Sequence, residues 1–209
     1  MTNAPVSTAP VAINTESAYQ RYFNRLHNLL IGVSVLDSAR RVLTIDEAVS
    51  KVLDLLLRVQ QEAGKVILIG NGGSAAIASH QALDFTNAAG IPALAFSDSA
   101  QLTCFSNDFG YENVYSKAIE LYGQANDALI AISSSGRSQN ILNGVAMARK
   151  KGCSVITFTG FSKQAPLLSD GDLNFYVDSS NYGPVEIAHL ALIHYFTDTL
   201  AAKRRGVTL

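Results

Sequence analysis

The chain has 209 residues, which is enough for one sizeable hydrophobic core, while a second independent domain would be cramped. Its formal net charge of −1 argues against a broad cationic surface, so we do not expect direct nucleic-acid binding. No apolar run is long enough to span a membrane, and the first residues lack the pattern of a secretory signal. Two cysteines without metal-ligand spacing are typical of buried thiols in a reducing compartment. We therefore expect a cytoplasmic protein without membrane contact.

The first residues differ in composition from the rest of the chain. Residues 1–14 are small, polar and proline-bearing, which predicts a disordered tail. We expect the remaining residues, 15–209, to form a single domain. Within it, residues 15–63 are predicted to form a helical hairpin, and residues 64–209 an α/β core.

Two amphipathic segments favour the helical hairpin. Apolar residues recur at helical spacing from Glu16 to about Leu36. A second helix is predicted to follow Thr44, which can form a capping box with Glu47, and to end at Gly64. The apolar surface of this second helix is too broad for packing on a single neighbour. We infer that the hairpin also contacts another subunit.

After Gly64, short apolar segments alternate with helical ones. Such segments are typical of strands that are buried on both faces. The alternation predicts right-handed crossovers and a parallel sheet, and hence a three-layer α/β sandwich around five parallel strands. The strand segments are KVILIG, IPALAFS, DALIAIS, CSVITFTG and LNFYVD, and the helices are predicted over 74–87, 111–122, 137–151 and 184–203.

A glycine-rich turn, GNGGSAA, follows the first of these strands at Gly70. Ligands of parallel sheets bind at the carboxyl ends of the strands, where this turn falls. Gly72 and Gly73 allow close backbone approach, and Ser74 can cap the helix and offer its hydroxyl to an anion. The turn also fits the dinucleotide fingerprint G-x-G-x-x-A, and a purely structural tight turn is a further interpretation.

A second turn, SSSGRSQN, repeats this plan after the strand DALIAIS. Ser133, Ser134, Ser135 and Ser138 surround Gly136 at the start of another helix. Hydroxyls and helix-start amides bind a phosphate monoester without a large cationic site. A dinucleotide enzyme has no need for this second turn, so the pair of turns favours a phosphorylated small molecule and no nucleotide cofactor.

Four motifs lie in the same order and at similar spacing as in bacterial phosphoheptose isomerases: GNGGSAA, NDFGYENVYSKAI, AISSSGRSQNIL and EIAHLALIH. Over about residues 15–203 the chain resembles the sugar isomerase (SIS) fold, and in particular its sedoheptulose 7-phosphate isomerase branch. The resemblance implies a homotetramer with sites at the subunit interfaces. It also implies a phosphorylated sugar as substrate, bound by Asn71, Gly72, Gly73, Ser74, Asn107, Asp108, Ser133, Ser134, Ser135, Ser138 and Glu186.

Ionisable residues on two predicted helices are candidates for the chemistry. His80 and Asp84 are four residues apart and share a helix face, so they can bind one metal ion or form a charge-assisted pair. Glu186, His189 and His194 lie in an otherwise apolar helix, where an ionisable residue is unfavourable unless it has a partner.

The resemblance assigns roles to four of these residues. His80 aligns with a histidine that coordinates zinc in some phosphoheptose isomerases, and Asp84 aligns with a glutamate that is both ligand and catalytic base. Glu186 aligns with a glutamine ligand, and His194 with a histidine that is ligand and acid. The chain departs from the family at Asp84 and Glu186. Its segments FTNAAGIP and NYGPVE also lack charged residues that the family has there.

The leading hypothesis is therefore an aldose–ketose isomerase that converts sedoheptulose 7-phosphate to a heptose 7-phosphate through an enediol, with zinc as a possible cofactor. The alternative is a non-catalytic SIS protein that binds a phosphosugar or a protein partner such as a replication initiator. The altered residues Asp84 and Glu186 favour this alternative. A dinucleotide enzyme ranks last, because Asp98 follows the first turn at too long an interval to bind a ribose.

Overall fold

The computed structural model describes residues 16–208, so the tail predicted for residues 1–14 lies outside the described residues. The helices are α1 (Ala18–Ile31), α2 (Ile45–Gln61), α3 (Gly73–Asp84), α4 (Ser99–Phe109), α5 (Val114–Tyr122), α6 (Gln139–Lys151) and α7 (Tyr182–Arg204). The strands are β1 (Ser34–Asp37), β2 (Val42–Leu43), β3 (Val66–Gly70), β4 (Ala93–Ala95), β5 (Ala128–Ser133), β6 (Ser154–Thr159) and β7 (Leu173–Tyr176).

The five predicted strands form one continuous parallel sheet in the order β7-β6-β5-β3-β4. Every residue of β3 and β5 is buried, because helices cover both faces of the sheet. Side chains of β3 alternate between the two cores. Leu68 packs with α2, α3 and α7 on one face, whereas Ile67 and Ile69 pack with α5 and α6 on the other. The predicted three-layer α/β sandwich is confirmed.

Within residues 16–208 the sheet has seven strands rather than five, because the segment between α1 and α2 adds two. The first helix ends at Ile31 and not near Leu36. Residues Ser34–Asp37 pair antiparallel with β7, and the short strand β2 pairs antiparallel with them. Val35 and Leu36 fit helical spacing as well as strand spacing. Their pairing depends on the free edge of β7, which is far away in the sequence.

The capping box at the start of α2 is confirmed. The backbone N–H of Glu47 donates to Oγ1 of Thr44 over 3.3 Å, and the N–H of Thr44 donates to Oε2 of Glu47 over 2.9 Å. The apolar face of this helix packs within the protomer, against the sheet and α7. Two intramolecular neighbours thus account for much of this breadth, and the contact of the hairpin with another subunit stays a prediction.

Helix α4 was not predicted. None of its residues is fully buried, and its apolar stripe is short, with only Leu102 and Phe105 packed partly against the core. Its start is marked only by Asp98, whose Oδ1 accepts a hydrogen bond from the N–H of Gln101 over 3.0 Å. The exposed position of α4 also leaves Cys104 exposed, whereas Cys153 is buried as expected.

Candidate active site

The first glycine turn joins β3 to α3 and keeps its backbone open. Gly72 has a positive φ of +54°, which side chains rarely allow. A Cβ atom on Gly70 would lie 2.5 Å from the carbonyl oxygen of Ser74, so this position has no room for a side chain. The helix begins at Gly73 without a side-chain cap, so Ser74 is not the cap that the sequence predicts. Ser74 is nevertheless buried at the turn.

The second turn joins β5 to α6 and holds its serines in different ways. Oγ of Ser133 accepts a hydrogen bond from the N–H of Gly136 over 3.1 Å. Oγ of Ser135 accepts one from the N–H of Arg137 over 3.3 Å. The hydroxyl of Ser134 is buried and has no hydrogen-bond partner among residues 16–208. A buried hydroxyl without a partner is unfavourable unless a ligand or water satisfies it.

The two turns face each other across a cavity of about 250 Å³. All the predicted substrate-binding residues except Asn107 and Asp108 line it, and sequence reasoning missed two others, Ile132 and Tyr182. The helices α3 and α6 begin at this cavity and direct their N-terminal N–H groups and positive dipole ends toward it. The lining residues are Asn71, Gly72, Gly73, Ser74, Ile132, Ser133, Ser134, Ser135, Ser138, Tyr182 and Glu186.

A pair of side-chain amides connects the two turns. Nδ2 of Asn71 donates to Oδ1 of Asn140 over 2.9 Å, and Nδ2 of Asn140 donates back to Oδ1 of Asn71 over 2.8 Å. The hydroxyl of Tyr111 donates to the same oxygen of Asn71 over 3.1 Å. Asn140 is buried in the first turn of α6. This network fixes the relative positions of the two turns.

Asn107 and Asp108 lie on α4, outside the serine-lined cavity. Oδ1 of Asp108 accepts a hydrogen bond from Nδ2 of Asn107 over 2.9 Å, and both residues are exposed. Asn107 lines a separate cavity of about 410 Å³ beside Tyr111. Tyr111 in turn contacts Asn71, so the two cavities are neighbours.

His80, Asp84 and His194 form a cluster at the other end of α3. Nε2 of His80 lies 3.4 Å from Oδ2 of Asp84 and 3.2 Å from Nε2 of His194. Nδ1 of His194 lies 3.6 Å from the same carboxylate oxygen. The three side chains are 52%, 27% and 36% exposed, respectively. The cluster therefore opens to solvent in the single protomer.

Parallel packing of α3 and α7 explains this arrangement. Gly73 lies against Glu186, and His80 against His194, so both helices run in the same direction. Glu186 precedes His194 by eight residues, which separates them by roughly 12 Å along α7. Of the four predicted metal ligands, the described protomer brings together His80, Asp84 and His194. It places Glu186 at the serine-lined cavity.

His189 is the third ionisable residue on α7 and is fully buried. Burial lowers its pKa to about 4 against the weaker, opposing effect of a hydrogen bond to the backbone carbonyl of Thr159. Nε2 of His189 lies 3.1 Å from that carbonyl oxygen, so this nitrogen carries the proton. Nδ1 has no partner among the described residues. His189 is therefore a neutral core residue, and its ring packs edge-on against Phe158.

Sequence reasoning missed Tyr182 and Asn140 for different reasons. Tyr182 begins α7 and is exposed at the rim of the cavity, within the segment NYGPVE. The available signal was its position two residues before the helix that the sequence predicts over 184–203. Asn140 is the last letter of SSSGRSQN, and only the reciprocal bond with Asn71 distinguishes it from an ordinary polar residue in the first helical turn.

A parallel α/β sheet with two serine-bearing turns at its carboxyl end defines a phosphosugar-binding type of domain. The sequence profile of the SIS domain family matches residues 34–160, so the chain belongs to the SIS domain family. The resemblance found in the sequence is thereby confirmed. No helix within residues 16–208 is both long and apolar enough to cross a membrane.

Several relatives are named phosphoheptose isomerases. The one from Proteus mirabilis is 39% identical over 154 residues, which cover 71% of this chain and 80% of the relative. The structure of phosphoheptose isomerase from Neisseria gonorrhoeae is similar with a TM-score of 0.74 and 30% identity, over 87% of this chain and 97% of that one. A phosphoheptose isomerase structure from Francisella tularensis gives a TM-score of 0.74 at 25% identity, over 90% of this chain and 100% of that one.

Proposed function

We propose that the protein is an aldose–ketose isomerase that acts on a phosphorylated sugar. The observation that carries this proposal is the serine-lined cavity with the unpartnered, buried hydroxyl of Ser134. Such a site suits a phosphate monoester, since hydroxyls and helix N-termini provide several hydrogen bonds to its oxygens. The relatives named phosphoheptose isomerases support a heptose phosphate, and we propose sedoheptulose 7-phosphate as substrate.

In this proposal the N-terminal end of α3 binds the phosphate, and its C-terminal end carries out the chemistry. The cavity lies at Gly73, and Asp84 ends the helix, so their Cα atoms are roughly 16 Å apart along the helix axis. With the reach of the side chains at both ends, this interval suits an extended sugar phosphate. The phosphate then lies in the cavity, and the carbonyl end lies at the cluster of His80, Asp84 and His194.

Asp84 and His194 supply the proton transfers in this proposal. The carboxylate of Asp84 removes the proton from the carbon beside the carbonyl, and an enediol forms. The former carbonyl oxygen gains a proton from solvent as the enediol forms. His194 then returns a proton to the former carbonyl carbon, and the hydroxyl of the neighbouring carbon loses its proton to become the new carbonyl. Nδ1 of His194 lies 3.6 Å from Oδ2 of Asp84, so the acid and the base are close enough to act on neighbouring carbon atoms of one substrate. Binding of the distant phosphate holds the reacting carbons in this position.

The donor set of the cluster also fits zinc. One ligand atom each from His80, Asp84 and His194 lies within 4.8 Å of the others, and the shortest separations are 3.2 and 3.4 Å. Ligand atoms about 2.1 Å from a tetrahedral ion are about 3.4 Å apart. We propose that these three residues hold zinc, and that Glu186 completes such a site in the assembled protein. Zinc would polarise the substrate carbonyl.

We further propose a homotetramer with the active sites at subunit interfaces. The exposure of His80 and His194 leaves an enediol open to water in a single protomer. Leu83, Ile187 and Tyr195 are exposed apolar residues on the same two helices and are available for a subunit contact. Light scattering should give four times the mass of one chain, and a monomer at micromolar concentrations would contradict this part of the proposal. Two free thiols fit a cytoplasmic location.

Exchange of deuterium from heavy water into sedoheptulose 7-phosphate tests the isomerase proposal. We expect the wild-type protein to incorporate deuterium at the carbon beside the carbonyl, because the enediol picks up a solvent proton. A protein that binds the phosphosugar without any incorporation, with and without added zinc, would contradict catalysis. This result would favour the alternative of a non-catalytic SIS protein that binds a phosphosugar or a protein partner.

A further inference from the structure

Glu186 is the charged member of the set of residues that line the serine-lined cavity. The others among the described residues are glycines, serines, an asparagine, a tyrosine and an isoleucine. A phosphate monoester is an anion, and no lysine or arginine among residues 16–208 lines this cavity to balance Glu186. A carboxylate at this position therefore opposes the binding of the phosphate that the serine hydroxyls favour.

The carboxylate of Glu186 lies against the first residue of α3. A Cβ atom on Gly73 would lie 2.6 Å from Oε1 of Glu186, and closer still to Oε2. The carboxylate thus occupies the space that the missing side chain of Gly73 leaves free. This position is the N-terminus of a helix, where unpaired N–H groups and the positive dipole end favour an anion. Within residues 16–208 the carboxylate therefore lies beside the helix N-terminus that would stabilise a bound phosphate, and it accepts no hydrogen bond from that N-terminus.

Within residues 16–208, the carboxylate of Glu186 forms no hydrogen bond with a side chain and no salt bridge, and the residue is only half-buried. Its attraction to the helix N-terminus is weakened by solvent, since exposed charge interactions are small. It can therefore leave this position when a ligand binds more strongly. A phosphate that enters has to displace it, because two anions do not share one helix N-terminus.

We propose that Glu186 limits the affinity of the cavity for phosphate, because its carboxylate competes with phosphate at the N-terminus of α3. This inference rests on the proposed function of the cavity as a phosphate site. Free inorganic phosphate has only the cavity to bind, so competition with Glu186 excludes it at moderate concentrations. A phosphosugar makes additional contacts through its sugar and can displace the carboxylate. The free-energy cost of displacing the carboxylate is the same for both ligands. It lowers both affinities, so that at moderate concentrations the phosphosugar, which has the additional contacts, occupies the cavity.

Binding of inorganic phosphate, measured by isothermal titration calorimetry, tests this inference. The variant E186Q keeps the size of the side chain and removes its charge, so we expect it to bind phosphate about tenfold more tightly than the wild type. E186D keeps the charge, and we expect a smaller gain. The control D198N removes a negative charge from an exposed position of α7, twelve residues further along, and should leave the affinity unchanged.

The companion variant S134A separates this inference from the proposed function. If S134A weakens phosphate binding while E186Q binds no more tightly than the wild type, the inference about Glu186 is wrong and the phosphate site stands. If S134A leaves phosphate affinity unchanged, or if no variant binds phosphate or sedoheptulose 7-phosphate, both are wrong. Tighter binding by E186Q together with weaker binding by S134A supports both.

Discussion

The serine-lined cavity and the cluster of His80, Asp84 and His194 lie at opposite ends of one helix pair, and they are built differently. The cavity is enclosed by backbone turns, and its serines are held by short-range hydrogen bonds or buried without a partner. The cluster consists of side chains that are partly exposed and contact one another. The shape of the serine-lined cavity, the binding end, depends on the backbone of the two turns. The chemistry of the cluster, the reactive end, depends on the identity of its three side chains. Substitutions should therefore separate binding from chemistry.

The largest effect is expected at the reactive end. Asp84→Asn preserves shape and removes the base, so the rate of deuterium exchange into sedoheptulose 7-phosphate should fall by at least about a thousandfold. Phosphosugar affinity, measured by calorimetry, should change little because the cavity is remote. The matched control Asp54→Asn removes an exposed carboxylate from α2 and should retain full exchange. Exchange that survives in Asp84→Asn would identify another residue as the base.

A second effect contrasts the buried His189 of α7 with the exposed His27 of α1. Burial lowers the pKa of His189 to about 4 from 6.5, so the folded chain binds fewer protons than the unfolded chain between these values. The free energy of unfolding should be highest above pH 6.5, and His189 should remove about 3 kcal/mol as the pH falls to about 4.

Urea unfolding of His189→Gln at several pH values measures this loss. The variant should show a weaker decline of stability between pH 6.5 and 4 than the wild type. The control His27→Gln changes an exposed histidine of α1 and should follow the wild-type curve. Equal slopes for His189→Gln and the wild type would mean that His189 is not buried in its neutral form.

A smaller effect is expected at the binding end. Ser134→Ala removes the hydroxyl that has no partner among residues 16–208 and should weaken the binding of sedoheptulose 7-phosphate by about 1.5–3 kcal/mol, the contribution of a hydrogen bond to a charged group. The effect should fall on KM, with kcat changed much less. Ser50→Ala alters an exposed serine of α2 and serves as the control. A loss in kcat at unchanged KM would contradict the assignment of Ser134 to phosphate binding.

The smallest effect concerns the connection between the turns. Asn140→Ala breaks the reciprocal amide pair with Asn71, so the two turns lose one restraint on their relative position. We expect phosphosugar affinity to fall a few-fold, on the order of the net contribution of one hydrogen bond. Asn143→Ala, on the same helix but bonded to Asn113 and the backbone of Glu112, should have no such effect. Equal affinities for the two variants would show that the amide pair is only structural.

The sequence predicted those parts of the fold that depend on local pattern. Strands buried on both faces read as continuous apolar runs, and the capping box of Thr44 and Glu47 is a local motif. The strand β1 escaped prediction, because its pairing depends on the edge of β7, which lies more than a hundred residues away. Helix α4 escaped because it buries no residue fully and its apolar residues, Leu102, Phe105 and Phe109, form only a short stripe.

The candidate site divides in the same way. Helical spacing alone places His80 beside Asp84, and the two serine turns can be recognised as motifs in the sequence. The approach of His194 depends on the parallel packing of α3 and α7, which no local pattern encodes. The position of Glu186 follows from the same packing. Glu186 lies two helical turns before His194 on α7 and therefore lines the serine-lined cavity. There its negative charge opposes a bound phosphate, which the residue type alone did not suggest.

The central claim is that the serine-lined cavity binds the phosphate while the cluster of His80, Asp84 and His194 acts on the carbonyl end. A crystal structure of the Asp84→Asn variant with sedoheptulose 7-phosphate tests it most directly, because this variant should bind the substrate without converting it. We predict the phosphate between the two turns, within hydrogen-bond distance of the hydroxyl of Ser134. We predict the carbonyl end of the sugar beside His194 and the side chain at position 84. A phosphate outside the serine-lined cavity, or a carbonyl end that points away from His194, would contradict the account.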